Sequence, residues 1–240
     1  MPVYHTRPDA EAYGRTVGIL LPDARIPYIP GDPGNALSLG FAVIYGVVPG
    51  LTLSECSRFA PDAAERIADA ARKLVAEGVR AIAAAGSCML PYQNTVRSAV
   101  PVPVCLSPLV QLPLLASSLH ASRPIGVLAA DPYPPETLEA AGLHIVNEVR
   151  FASMGNRPAF AEAHQSGRLD SDALERETVA AAIELQAQSP ELGAVILAAP
   201  VLAPYSAAVR SATRLPVTDA LAAARYMFAT TRQRAYEGAY

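Results

Sequence analysis

No window of the sequence approaches the roughly 20 uninterrupted apolar residues of a membrane span, and the opening MPVYHTRPDAEAYGR lacks a basic stretch followed by an apolar run. The expectation is a cytoplasmic protein with no membrane partner. Cysteine is scarce too: Cys56, Cys88 and Cys105 are an odd number without CxxC spacing, and the four histidines are scattered. Neither a zinc cluster nor a disulfide framework is indicated, and no metal site stands out. Nor is there an excess of charge, since a formal net charge of -3 over 240 residues gives no electrostatic reason to expect nucleic acid. A small neutral or anionic metabolite is the better starting partner.

What the chain does have is apolar material, 51% of its residues, enough for one large or two small cores. TVGILL reads as a buried strand, PDAAERIADAARKLVAEG as an amphipathic helix with Asp62 near its start and Gly78 at its stop, and VRAIAAAG as a second strand. The same alternation returns in PIGVLAA, SDALERETVAAAIELQAQ and LGAVILAA, which argues for parallel sheets with right-handed crossovers.

The return extends to the residues themselves. PYQNTVRSAVPVPV (91–104) set against PYSAAVRSATRLPV (204–217) matches at eight of fourteen positions without a gap. TVGILLPDA (16–24) over PIGVLAADP (124–132) pairs Gly18 with Gly126, Leu20 with Leu128 and Asp23 with Asp131. A spacing this long is not that of a solenoid, so the expected architecture is α/β: two pseudo-twofold-related lobes, each a parallel sheet flanked by helices, with the site in the cleft between them. The expected division is residues 1–107 plus 219–240 for the first lobe and 108–218 for the second. Open parallel sheets bind ligands beyond the carboxyl ends of their strands, and there the repeat makes Gly86 and Ala199 equivalent.

GILLPDARIPYIPGDPGNALS (18–38), AIAAAGSCMLPYQ (81–93), PVCLSPLVQLPLL (103–115), RPIGVLAAD (123–131) and GAVILAAPVLAPY (193–205) together resemble the aspartate/glutamate racemase superfamily, which includes hydantoin racemases, maleate isomerases and arylmalonate decarboxylases. The resemblance covers nearly the whole chain. It implies two lobes, a homodimer, and cofactor-independent chemistry at the carbon next to a carboxylate. In two-cysteine members one thiol from each lobe flanks that carbon. By spacing to Gln93 and Tyr205, those positions are Gly86 and Ala199 here, and neither residue can carry a proton. Arylmalonate decarboxylases show half of this departure, with glycine at the first position and a cysteine kept at the second.

Gly86-Ser87-Cys88 can still cradle an anion with consecutive amides at a helix start, or it can be an ordinary capping loop. Ala199-Pro200-Val201-Leu202 has lost one N–H to proline and is expected to shape the cleft. Cys88 is a candidate acid or base activated by a helix N-terminus, or inert packing. Asp23 is the second catalytic candidate, and Asp131 is a turn former or its equivalent. In PGDPGNA (30–36) either Asp32 or Asn35 is available to the cleft, unless the loop is purely structural. Tyr133 could hydrogen-bond a carboxylate, and Thr218 and Asp219 are helix caps or cleft residues. The expectation is an isomerase or decarboxylase-like lyase without cofactor, acting on a small carboxylic acid. A catalytically silent metabolite-binding protein, or a racemase with a relocated Cys88, are its rivals.

Overall fold

The computed structural model describes residues 5–6, 13–53, 55 and 60–232. The first half runs β1 (Val17–Pro22), β2 (Val43–Val48), α1 (Pro61–Ala76), β3 (Ala81–Ala84), α2 (Gln93–Ala99), β4 (Val104–Cys105) and α3 (Leu112–Ser118). The second runs β5 (Ile125–Ala129), α4 (Pro135–Ala140), β6 (Val149–Ser153), α5 (Pro158–Gln165), α6 (Ser171–Gln188), β7 (Ala194–Leu197), α7 (Ser206–Thr213), β8 (Val217–Thr218) and α8 (Ala220–Thr231). Two four-stranded sheets result, ordered β2-β1-β3-β4 and β6-β5-β7-β8, with every pair parallel. The repeat in sequence is thus a repeat in topology.

Local chemistry explains the elements. Helix α1 takes Pro61 at its first turn, where a missing N–H costs nothing, with Asp62 beside it and Lys73 in the last turn to match the helix dipole. Gly78, at φ 96, then turns the chain toward β3. Asp170 caps α6 by accepting the Ala173 amide at 3.0 Å, and Asp219 caps α8 by accepting that of Ala222 at 2.8 Å. The paired glycines have a shared cause. A Cβ at Gly18 would lie 2.8 Å from Leu74 Cδ1 of α1, and one at Gly126 would lie 2.9 Å from Leu185 Cδ2 of α6. Each sheet therefore needs a bare backbone where its long helix packs.

Both faces of each sheet are buried at the central strands, as parallel sheets require, while the edge strands β2 and β6 are only partly covered. The outer face of the first carries Leu20, Ile82 and Ala84 against Ile67 and Leu74, and that of the second carries Leu128, Val195 and Leu197 against Leu174 and Leu185. On the inner faces the helices cross over. Leu112 and Ala116 of α3, which follows the first sheet, cover Ile125, Val127 and Ile196 of the second; Leu221 and Ala224 of α8 return to cover Val17, Ile19 and Ala83. Each fully buried leucine is worth about 2 kcal/mol, so this exchange ties the lobes firmly. No helix among the described residues is long and apolar enough to cross a membrane.

Candidate active site at the seam between the lobes

Beyond β3, Gly86 is extended (φ -152, ψ 109) and leads into a 3-10 segment, Ser87–Tyr92, that runs on into α2. Beyond β7, Ala199 (φ -85, ψ 125) leads into the matching segment, Pro200–Tyr205, ahead of α7. Proline lies inside each, Pro91 and Pro204, and its missing N–H favours the tighter turn. Even the first turn bonds match: the Met89 amide donates to the Gly86 carbonyl at 3.2 Å, and the Leu202 amide to the Ala199 carbonyl at 2.9 Å. The fourth residue after each start crosses the seam. Leu90 joins the inner core of the second lobe and Ala203 joins that of the first, so both loops meet at one interface.

Their side chains differ in what they can do. Gly86 contributes backbone only, and the Ser87 side chain lies outside the described part of the structure. Cys88 is disulfide-bonded, its partner outside the described residues, so the sequence expectation of no disulfide is corrected and Cys88 carries no thiol in this state. It also packs against the outer core of the first lobe, away from the face that α8 covers. Cys56 lies outside the described residues. Ala199, Pro200 and Val201 are buried, and Ala199 and Val201 belong to the outer core of the second lobe. Cys105 is a free but buried thiol whose pKa is pushed up to about 12 by burial.

The segment between β1 and β2 supplies the polar chemistry. Asp23 is exposed and its Oδ2 accepts the Gly50 amide at 2.9 Å, stitching the end of β1 to the turn after β2. Asn35 is committed at both ends, donating from Nδ2 to the Tyr28 carbonyl at 2.9 Å and accepting the Leu37 amide at Oδ1 at 3.0 Å. Asp32 is different. It is 1% exposed, and its Oδ1 accepts the Gly34 amide at 2.7 Å in an Asx turn. Burial holds its carboxyl far above the carboxylate range, at about 7, against the lowering effect of that amide. Tyr28 and Tyr45 lie within electrostatic reach of it, and burial raises both phenols. The Tyr45 hydroxyl donates to the Pro33 carbonyl at 3.1 Å; the Tyr28 hydroxyl is buried without a hydrogen-bond partner.

This cluster sits on the seam. A Cβ at Gly31 would fall 2.8 Å from Pro204 Cα, so the backbone beside Asp32 lies directly on the 3-10 segment of the opposite lobe. Gly31 adopts φ 100, which only glycine takes at little cost. Its amide donates to Ser38 Oγ at 2.8 Å, and Arg225 of α8 reaches the Ser38 carbonyl at 3.2 Å.

The other candidates are spread more widely. Thr218 donates to Gln111 Oε1 at 2.6 Å, binding the end of β8 to the segment ahead of α3. Asp219 is a cap and also accepts from Ser206 Oγ. Tyr133 lines a separate groove of about 390 Å³ with Leu138, Val146 and Phe151, its phenol raised by burial and then by Asp131. Among the described residues no group of three or more His, Cys, Asp or Glu side chains is placed to hold a metal. Sequence reasoning thus reached Asp32 but missed Tyr28 and Tyr45. The first is signalled only by its neighbours in YIPGDPGN. The second is hidden in the apolar run VIYGVV and becomes legible only when pairing with Ile19 puts it on the inner face.

No protein-family model matches the chain. Dimethylsulfoniopropionate lyase 7 of Emiliania huxleyi (strain CCMP1516) is 30% identical over 219 residues, covering 86% of this chain and 64% of the relative. The dimethylsulfoniopropionate lyase of Durusdinium sp. clade D is 28% identical over 221 residues, covering 88% and 73%. The chain spans between 59% and 64% of the length of the first three curated relatives it matches. Among solved structures, unliganded arylmalonate decarboxylase superposes with a TM-score of 0.59 at 15% identity over 88% of this chain and 90% of that one. Allantoin racemase from Pseudomonas fluorescens gives 0.57 at 16% over 90% and 91%.

Proposed function

From the premise that this chain has the two-lobed fold of the aspartate/glutamate racemase superfamily, we propose that it is a lyase, working without a cofactor, that acts on a small carboxylic acid at the carbon next to its carboxylate. The reading draws on the dimethylsulfoniopropionate lyases, which align along most of the chain, and names a β-substituted, sulfonium-bearing carboxylate as the substrate to try first.

The observation that carries this reading is the one-sidedness of the seam. Racemisation needs proton carriers on opposite faces of one carbon, yet the second lobe brings Ala199, Pro200, Val201 and Ala203, none with a proton to move. An elimination needs only one base. The proton leaves the carbon beside the carboxylate, its bonding pair becomes the new double bond, and the β substituent departs with the electrons of its own bond. The carboxylate rests against the amides of Gly86, Ser87 and Cys88, which head the run of helix from 87 to 99 and gain charge-stabilising power as electron density shifts toward it. The apolar second loop keeps water from that charge and strengthens each interaction.

The test is proton NMR in deuterated buffer with dimethylsulfoniopropionate, phenylmalonate, aspartate and glutamate supplied separately. Olefinic carboxylate and released sulfide from the first substrate are expected. Carbon dioxide loss from phenylmalonate would move the assignment to decarboxylation, α-deuteration with racemisation of an amino acid would replace it with racemase activity, and binding without turnover would leave a metabolite-binding protein.

A further inference from the structure

We infer that Asp32 is the group that takes the proton in this reaction, with the Tyr28 hydroxyl as the donor that receives its carboxylate; the inference rests on the lyase reading. Three features of the loop lead to it. An Asx turn can be made equally well by asparagine, whose Oδ1 would accept the Gly34 amide without any charge. The chain instead keeps a carboxyl at a position 1% exposed, where ionisation is costly, so the turn alone does not account for the residue.

The second feature is the Tyr28 hydroxyl, buried without a partner in the same cluster. Buried polar atoms are almost always satisfied, and an orphan donor beside a buried acid marks a place where a hydrogen bond forms in another state, either to the ionised carboxylate or to a bound oxygen. The third is position. Asp32 follows the glycine that rests on Pro204, on the inner side of the first lobe, whereas Asp23 is exposed and occupied with the Gly50 amide. Proton transfer also fits the surroundings. Tyr28 and Tyr45 lie within electrostatic reach of the carboxyl in its own lobe; from the opposite segment the Tyr205 hydroxyl is engaged with Ser171, and from α8 Arg225 is engaged at the Ser38 carbonyl. Burial rather than a neighbouring charge sets its proton affinity, at about 7, so it exchanges a proton readily near neutrality.

The step balances. Asp32 carboxylate gains the proton and becomes neutral; the sulfonium leaves as neutral sulfide; the product keeps the single negative charge of its carboxylate; Asp32 then returns the proton to water. Because Asp32 is buried and its neighbour Gly31 packs on Pro204, substrate entry requires the Pro30–Asn35 loop to move off the Pro200–Tyr205 segment.

Two measurements test this together. First, Asp32→Asn and Tyr28→Phe are assayed with dimethylsulfoniopropionate from pH 5 to 9. Wild-type kcat/KM rises with pH and levels off above about 7; Asp32→Asn loses roughly 1,000-fold and the pH limb with it. Tyr28→Phe stays active with its limb shifted upward, because the ionised carboxylate has lost a donor. Second, carboxyl ¹³C NMR with labelled aspartate follows the resonance that Asp32→Asn deletes, with and without propionate. Titration near 7 that moves upward when propionate binds supports the site whether or not the chosen substrate turns over. If that holds and wild type is inactive on every acid tried, the lyase reading fails and the site stands. Titration near 4, or Asp32→Asn active within tenfold of wild type, overturns the assignment of Asp32.

Discussion

The two connections that follow the first strand of each lobe, residues 23–42 and 130–148, occupy equivalent stations and have become different objects. Each leans on the run that follows a strand end of the other lobe, the first on the 3-10 segment Pro200–Tyr205 and the second on helix α2. Gly31 touches Pro204 on one side; on the other, Gly142 approaches Asn94 and Arg97, and Asn94 donates to the Ala140 carbonyl. The second connection is built around helix α4, and its polar residues Asp131, Glu136 and Glu139 face solvent. The first, held out of helix by PGDPGNA, folds inward and buries an acid. Duplication has preserved the sheets, the glycine-helix contacts and the strand-end turns. What distinguishes the halves is the one segment whose backbone the sheet does not dictate, and there a carboxyl can be introduced without disturbing the scaffold.

The sharpest way to break the comparison is at the two contact glycines. Gly31→Val places a branched side chain at φ 100 and inside contact distance of Pro204 Cα, combining backbone strain with a clash against main chain; a loss of about 3 kcal/mol or more is expected in urea unfolding. Gly142→Ala meets only the φ 80 penalty, since its nearest neighbour, Asn94 Oδ1, is 3.4 Å from the added Cβ; about 1 kcal/mol is expected. Equal losses would mean that the first connection does not bear on the opposite lobe.

Next comes pH. Asp32 has its proton affinity raised from 3.8 to about 7 by burial, so the folded state holds the proton more tightly than the unfolded chain does. Its contribution to stability is unimpaired below about pH 4, declines as pH rises through the window to 7, and stays low above it. Asp32→Asn removes that decline. Thermal melts should show the variant more stable than wild type at pH 8, by no more than about 4 kcal/mol, and no more stable at pH 4. An advantage at both pH values would trace to packing instead of charge.

Much of this was legible beforehand. Paired Gly18 and Gly126, the PY…VRSA…PV match and the strand-helix alternation forecast two parallel sheets, because each follows from short-range packing that a repeat makes visible twice. The site was legible only in part. Asp23 drew attention by its repeat partner, but its carboxylate is taken by a turn amide that lies far along the chain. Asp32 shares its loop with Asn35, and nothing local separates the two; in the fold Asp32 is buried beside the glycine that rests on Pro204 of the other lobe, whereas Asn35 is half-buried. Cys88 reads as available because no CxxC spacing in the sequence marks it as paired, yet it is disulfide-bonded. Burial and pairing of this kind come from chain segments remote in sequence, which motif spacing does not encode.

A smaller effect falls on Asp23. Replacing it with alanine removes one exposed hydrogen bond to the Gly50 amide, and about 1 kcal/mol of stability is expected to go with it, with kcat/KM within about twofold of wild type. A loss of activity as large as that of Asp32→Asn would transfer the proton-accepting role to the exposed acid.

The finest contrast concerns the two strand-end positions themselves. Gly86 has φ -152, which any residue adopts, and a Cβ there would meet chiefly Met89 Cε at 3.2 Å, the mobile end of a flexible side chain. Gly86→Cys should therefore fold with stability within about 0.5 kcal/mol of wild type, because the entropy removed from the unfolded chain offsets the small adjustment of Met89. Ala199 is wholly buried among packed side chains of the second lobe, and the sulfur of Ala199→Cys has to displace them at a cost of about 1 kcal/mol. Urea unfolding of the two variants side by side gives the comparison. If Ala199→Cys proves the milder change, the second loop is looser than its burial implies, and the seam is less one-sided than the two connections suggest.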